Sequence, residues 1–178
     1  MNITVFGGSK PKEDSTDYRA AYQLGKLLAE SGHAVLTGGY IGTMEAVSRG
    51  ANEAGGHVIG VTCKEIERWR NIGANAWVKE ERKFETLHQR LDALIDGCDA
   101  AIALPGGPGT LTEIALMWNL MIVDAIHRRP LILVGHGWNS MFDQAYTELK
   151  DYFAENQRAL IRFSPDVQSA VQLLNHNS

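Results

Sequence analysis

The chain has 178 residues, of which 44% are hydrophobic, and a formal net charge of −4. This length supports one sizeable core, so we expect a single domain over residues 1–178. The absence of a basic block argues against a nucleic-acid partner. No apolar stretch approaches the roughly 18 residues of a membrane span, and MNITVFGG lacks the features of a signal peptide, so we expect a cytoplasmic protein with no membrane partner.

In chain order, short apolar runs alternate with longer segments of helical period, which is the pattern of repeated β-α units. The predicted strands are Ile3 to Phe6, Ala34 to Leu36, Val58 to Val61, Trp77 to Val78, Ala100 to Leu104, Leu131 to Val134 and Leu160 to Phe163. Runs that are apolar at every position predict central strands covered on both faces. The predicted fold class is therefore α/β, a Rossmann-like doubly wound parallel sheet.

Helices are predicted over Ser15 to Ser31 and Phe84 to Gly97, and a closing helix is predicted to start at the Ser164-Pro165 cap. In the second helix, Arg90 lies on the flank of the apolar stripe. The stretch from Cys63 to Asn75 has no clear period and is expected to form a loop or lid.

The two cysteines, Cys63 and Cys98, lack the spacing of a metal site or of a disulfide framework. We expect two buried, idle thiols and no bound metal. Trp118 is expected to lie in the core or on a dimer surface.

Three glycine-bearing turns follow predicted strands: Gly7-Gly8-Ser9, TGGYIGTM over residues 37–44, and PGGPGTLTE over residues 105–113. The carboxyl ends of parallel strands meet at one edge of a sheet, so these turns are expected to line one crevice. Glycine lets backbone N–H groups approach an anion, and a following helix N-terminus adds favourable dipole and free donors. Neither the dinucleotide fingerprint nor the P-loop is present, which favours a single terminal phosphate. Tight-turn geometry alone would also account for Gly7-Gly8.

The third turn packs three glycines and two prolines into five residues and opens a long helix. The Thr110 hydroxyl and the N–H groups of Gly107 and Gly109 would bind the phosphate. Thr110 and Glu113 also have the S/T-x-x-E spacing of a capping box, so helix stability alone would explain both residues. The two roles can coexist.

The motif P-G-G-x-G-T-x-x-E is complete from Pro105 to Glu113 and resembles the hallmark of the LOG ("Lonely Guy") family of phosphoribohydrolases, often mislabelled lysine decarboxylases. Supporting matches run from Phe6-Gly7-Gly8-Ser9 through the Gly38 to Met44 loop to about Leu133. The resemblance implies a Rossmann-like homodimer that needs no cofactor. It also implies hydrolysis of a nucleoside 5′-monophosphate, AMP or an N6-modified AMP of the cytokinin type, to free base and ribose 5-phosphate.

The resemblance further implies which residues form the site. The family's catalytic arginine lies in an M-x-x-R-K stretch, and gap-free alignment places Leu87 to Leu91 on it. Arg90, rather than Arg82, is then the catalytic partner of Glu113, and Leu87 and Leu91 replace the methionine and the lysine. The implied substrate-binding residues are Gly8, Ser9, Gly39, Gly42, Met44, Pro105, Gly106, Gly107, Gly109 and Thr110.

Cleavage of an N-glycosidic bond builds positive charge on the ribose, and a carboxylate near the sugar stabilises it. Glu113 is expected to be held ionised by the helix N-terminus, with Arg90 assisting at the sugar or the leaving base. Without the alignment, a solvated arginine on an amphipathic helix is the favoured interpretation of Arg90, and the alignment reverses this preference. The alternative function is a non-catalytic carrier or sensor that binds a nucleotide or nucleotide-like cofactor through the same cradle.

Overall fold

The computed structural model describes residues 1–175. Its strands are β1 (Asn2–Phe6), β2 (Ala34–Thr37), β3 (Val58–Cys63), β4 (Glu80–Phe84), β5 (Ala100–Ala103), β6 (Leu131–Val134) and β7 (Ile161–Ser164). All seven belong to one sheet in the order β4-β3-β2-β1-β5-β6-β7, and every neighbouring pair is parallel. The strand order reverses between β1 and β5, which is where ligands bind in sheets of this type. The predicted α/β fold class is confirmed.

Helices cover both faces of the sheet. They are α1 (Thr16–Glu30), α2 (Thr43–Glu53), α3 (Lys64–Arg70), α4 (Leu87–Asp96), α5 (Pro108–Ile122), α6 (His136–Glu148), α7 (Glu155–Arg158) and α8 (Val167–Asn175), with a 3-10 turn at Lys150–Tyr152. The apolar faces of α1, α2 and α8 pack with one face of the sheet, and those of α4, α5 and α6 pack with the other. Apolar burial on both faces explains why the central strands are apolar throughout.

The loop expected over Cys63 to Asn75 is wrong, because Cys63 ends β3 and Lys64–Arg70 forms the helix α3. Three sequence-based boundaries are also wrong. The strand expected at Trp77 to Val78 lies at Glu80–Phe84, so Phe84 belongs to β4 and α4 begins at Leu87. Ser164 ends β7, and the closing helix is capped by Asp166, whose side chain accepts a hydrogen bond from the Ser169 N–H at 2.8 Å. In β4 and β7, polar residues within the strand obscured where the strand lies or ends.

The helices α1 and α2 pack backbone against backbone through two glycines. A Cβ at Gly25 of α1 would overlap the Val47 carbonyl oxygen of α2, and a Cβ at Gly50 of α2 would overlap the Tyr22 carbonyl oxygen of α1. The contact is reciprocal, so each glycine sets the distance between the two helices. Since α1 and α2 follow the first and second glycine turns, this packing also sets the spacing of those turns.

The remaining expectations concern single side chains. Cys63 and Cys98 are both buried free thiols, as expected. Trp118 is a core residue that stacks on Phe153 with ring centroids 5.5 Å apart. Over the part of the chain that the structure describes, no helix is long and apolar enough to cross a membrane.

Candidate active site

The three glycine turns meet at the carboxyl edge of the sheet and are joined by main-chain hydrogen bonds. The Gly8 N–H donates to the Pro105 carbonyl at 3.2 Å, and the Thr43 N–H donates to the Gly8 carbonyl at 2.9 Å. A Cβ at Gly7 would overlap the Thr43 side chain. Glycine is required here because the turns pack directly on one another.

A cavity of about 990 Å³ opens over these turns. Ten of the twelve sequence-predicted site residues line it: Gly8, Ser9, Met44, Arg90, Pro105, Gly106, Gly107, Gly109, Thr110 and Glu113. The structure therefore brings together residues that are up to 105 positions apart in the chain (113 − 8).

Gly39 and Gly42, the two other predicted binding residues, do not line the cavity. Both have positive φ, 75° and 73°, a conformation that glycine adopts without steric cost. Gly39 lies against Gly60 in the sheet, and Gly42 lies against the Ser9 backbone. In the structure they shape the second turn, and the binding role predicted for them stays a prediction.

The third turn forms an open cradle at the start of α5. Gly107 is the N-cap and Pro108 the first helical residue, so the N–H groups of Gly109 and Thr110 have no acceptor within the helix. Gly107 and Gly109 are exposed, whereas Thr110 is buried. This arrangement of free donors at a helix N-terminus is suited to an anion.

The same geometry rules out the capping-box explanation for Thr110 and Glu113. A capping box places the hydroxyl residue at the N-cap and the acidic residue at the third helical position. Here Thr110 is third and Glu113 sixth. A true capping box lies elsewhere, between Thr86 and Gln89 at the start of α4.

Arg90 is buried at the cavity floor, with its side chain 6% exposed. Its Nε donates to the Val61 carbonyl at 2.8 Å, and its guanidinium lies 5.5 Å from the centroid of the Tyr40 ring. A Cβ at Gly38 would overlap a terminal nitrogen of Arg90. The guanidinium is held by the Val61 carbonyl and the Tyr40 ring, in space that the missing side chain of Gly38 leaves open. This burial excludes the alternative of a solvated arginine.

Arg82, the competing arginine, lies in the edge strand β4 and pairs with Glu80 at 2.7 Å. It does not line the cavity. The structure thus places Arg90, and not Arg82, beside Glu113.

Glu113 faces Arg90 with Oε1 3.9 Å from Nη1, and its side chain is 10% exposed. Burial raises the pKa of Glu113 to about 7, although the positive charge of Arg90 opposes this shift. The expectation of a fully ionised carboxylate is therefore wrong. Glu113 lies in the second turn of α5, where the helix N-terminal charge has faded, and the cost of removing the carboxylate from water dominates.

This raised pKa predicts a pH-dependent stability. The folded-state pKa exceeds the ordinary value of 4.5, so the carboxyl contributes stability that is present below that value and is lost as the pH rises through about 7. Between pH 5 and pH 8, the wild-type protein loses this contribution and the Glu113→Gln variant does not. We therefore expect the difference in free energy of unfolding between them to shift by about 2–3 kcal/mol in favour of the variant. Thermal melts at the two pH values measure it. Glu155→Gln, at an exposed carboxylate, is the control, and an unchanged difference for Glu113→Gln would contradict the burial argument.

Several cavity residues carry no signal that singled them out in the sequence. Lys10 and Lys12 follow the first turn, Trp69 and Arg70 end α3, and Tyr40 lies inside the second turn. The Tyr40 hydroxyl accepts from the Cys63 N–H at 2.8 Å and donates to the Cys63 carbonyl at 3.1 Å. Among these residues, only Tyr40 had an indication in the sequence, namely a large aromatic side chain within a glycine-rich turn.

The switch-point location, the glycine cradle and the buried Arg90–Glu113 pair define a Rossmann-type protein with a ligand cavity over a doubly wound sheet. Residues 1–160 match the SLOG cluster4 family. The chain belongs to this family of LOG-type proteins, as the motif at Pro105 to Glu113 indicated.

Two curated relatives come from Oryza sativa subsp. japonica. The cytokinin riboside 5′-monophosphate phosphoribohydrolase LOG is 34% identical over 177 residues, which is 95% of this chain and 70% of that protein. The probable cytokinin riboside 5′-monophosphate phosphoribohydrolase LOGL5 is 38% identical over 135 residues, 74% of this chain and 53% of that protein. The alignment thus spans about half the length of LOGL5.

Solved structures with the same fold include cofactor-binding proteins. The molybdenum cofactor binding protein of Rippkaea orientalis has a TM-score of 0.75 and 28% identity, covering 98% of this chain and 95% of that one. The molybdenum cofactor carrier protein of Chlamydomonas reinhardtii has a TM-score of 0.73 and 26% identity, covering 98% and 96% of the two chains.

Proposed function

We propose that this protein hydrolyses the N-glycosidic bond of a nucleoside 5′-monophosphate, releasing free base and ribose 5-phosphate. The observation that carries the proposal is the buried Arg90–Glu113 pair, 3.9 Å apart, on the floor of a cavity that also contains the glycine cradle. The names of the LOG relatives support the same reaction.

The cradle positions the substrate. Its backbone donors and the Thr110 hydroxyl hold the 5′-phosphate, which presents the ribose to Glu113. Positioning of this kind converts binding energy into alignment of the reacting bond and lowers the barrier by several kcal/mol.

The chemical step separates charge. The bond between C1′ and the base nitrogen breaks with its electron pair leaving on the base, and a water oxygen forms the new bond to C1′. Ionised Glu113 stabilises the positive C1′ and accepts the proton of the attacking water, while the positive charge of Arg90 stabilises the leaving base. The proton on Glu113 then passes to the base nitrogen, which gives the free base and returns Glu113 to its ionised form. Because Glu113 must be ionised, kcat/KM should rise with pH through about 7.

The test is a panel of nucleosides and nucleotides incubated with wild-type protein, with base and ribose 5-phosphate quantified by mass spectrometry. We expect AMP or an N6-modified AMP to release base, and adenosine, which lacks the phosphate, to be cleaved at least about a hundredfold more slowly. Equal cleavage of AMP and adenosine would contradict the role of the cradle.

The second candidate is a carrier or sensor of a nucleotide-like cofactor, favoured by the two molybdenum cofactor proteins that share the fold. A phosphate-bearing cofactor would use the same cradle, but it would leave Glu113 without a chemical task. Tight ligand binding in calorimetry, with every nucleotide intact after incubation, would favour this function.

We further propose a cytoplasmic homodimer without nucleic-acid partners. Size-exclusion chromatography with light scattering checks the assembly, and a monomer would exclude the dimer.

A further inference from the structure

One wall of the cavity is apolar and is distinct from the glycine cradle. It comprises Ile66 and Trp69 of α3 and Leu87 and Leu91 of α4. Ile66 and Trp69 are three residues apart and so share one face of α3. Leu87 and Leu91 lie on the helix that carries Arg90, so the apolar wall is continuous with the catalytic pair.

Trp69 is 75% exposed and contributes to this wall. An indole left in water at the mouth of a cavity presents apolar surface that a ligand can cover. The Arg70 guanidinium lies 4.8 Å from the centroid of the Trp69 ring, but most of the ring surface remains accessible. None of the α3 side chains is buried, so Trp69 has no packing role in the core.

Polar contacts hold α3 in place. The Leu87 N–H donates to Glu65 Oε2 at 2.7 Å, Lys64 pairs with Glu85 at 2.6 Å, and Lys83 pairs with Glu67 at 3.1 Å. Two of these contacts reach β4 or the segment just after it, and one reaches the first residue of α4. These contacts connect α3, and with it the backbone of Trp69, to β4 and to the start of α4.

We propose that Trp69 is the stacking platform for the base of the bound nucleotide and that it accepts any planar aromatic base. This inference rests on the proposed function for the place of the phosphate and the ribose. The cavity offers a suitable group for each part of a nucleotide. Backbone donors suit the phosphate, the charged pair suits the sugar, and the apolar aromatic wall suits the base. Stacking on an aromatic ring tolerates different bases, since every base has a π-face.

The experiment compares two ligands that differ by the base. Calorimetry measures AMP and ribose 5-phosphate binding to Glu113→Gln protein, in which AMP stays intact, and to the same protein with Trp69→Ala or Trp69→Phe. We expect Trp69→Ala to weaken AMP binding about tenfold or more, Trp69→Phe to restore part of the loss, and ribose 5-phosphate affinity to stay unchanged. Thermal melts check that each variant folds.

Trp77 supplies a matched control. It also carries an arginine over its ring, with Arg49 5.4 Å from the centroid, but it does not line the cavity. AMP should quench the intrinsic fluorescence of the Glu113→Gln protein. The quenching should persist in Trp77→Phe and disappear in Trp69→Phe.

The outcomes separate the two proposals. Unchanged AMP affinity in Trp69→Ala, or an equal loss for both ligands, overturns the stacking role, whatever the wild-type protein hydrolyses. A base-dependent loss in Trp69→Ala supports the stacking role, even where the wild-type protein releases no base and the proposed hydrolysis fails.

Discussion

Replacing Glu113 with glutamine is expected to lower the rate of base release from AMP by roughly a thousandfold. Glutamine keeps the shape of the side chain, but it carries no negative charge for the developing cation and accepts no proton from water. The burial of Glu113, with its side chain 10% exposed, strengthens the effect, because electrostatic interactions are stronger where water is excluded.

Arg90, which faces Glu113, is best tested with a conservative substitution. Arg90→Lys keeps the positive charge, but it loses the planar guanidinium and the Nε bond to Val61, so we expect a loss of about a hundredfold. Arg90→Ala would also leave Glu113 buried without its counter-charge, which mixes a stability effect with the catalytic one.

Initial rates from mass spectrometry measure both variants. Glu45→Gln is the matched control, since Glu45 lies in the first turn of α2 and does not line the cavity. We expect it to retain its activity. A Glu113→Gln protein that releases base at the wild-type rate would remove Glu113 from the mechanism.

The second large effect concerns stability. Gly25→Ala and Gly50→Ala are each expected to destabilise the fold by roughly 3 kcal/mol, which lowers the Tm by about 10 °C in a chain of this size. The added Cβ would meet main-chain atoms of the facing helix: beyond the carbonyl overlap, it would lie 2.9 Å from the Val47 carbonyl carbon for Gly25 and 2.9 Å from the Tyr22 carbonyl carbon for Gly50. No side-chain rotation relieves such a contact, so α1 and α2 must move apart.

Thermal denaturation followed by circular dichroism checks this expectation. Gly137→Ala is the control: it lies in the first turn of α6, and its added Cβ would meet no atom within 4 Å. Alanine there should be neutral or slightly stabilising. The Gly25→Ala/Gly50→Ala double variant should lose less than the sum of the single losses, because one separation of the helices relieves both contacts. A strictly additive loss would show that the two glycines act independently.

The sequence predicts the centre of this fold better than its edges. β5 and β6 are buried on both faces, so their residues are apolar without interruption and the strands are recognisable. β4 is an edge strand with the sequence EERKF, and charged side chains are typical of strands that pair on one side only. Its identity depends on pairing with β3, which no local pattern encodes.

The same distinction applies to the site. The motif at Pro105 to Glu113 located the cradle, because backbone geometry imposes glycine at fixed positions. The burial of Arg90 depends on a gap at Gly38, more than fifty residues earlier in the chain (90 − 38 = 52). The pKa of Glu113 depends on the same enclosure. Helical periodicity does not reveal tertiary contacts of this kind. It placed Arg90 only on the flank of the apolar face of its helix.

The main-chain construction of the cradle has an evolutionary consequence. An anion site built from N–H groups and glycines is preserved as long as the backbone is preserved, whatever happens to the side chains around it. No side chain of α3 belongs to the core, so substitutions at Ile66 and Trp69, which line the cavity, alter its wall at little cost to folding. Descendants of one ancestral protein can therefore exchange one phosphate-bearing ligand for another through drift in a single surface helix. Selection should constrain residues 105–110 tightly, and relatives that bind a different phosphate-bearing ligand should diverge mainly at Ile66 and Trp69.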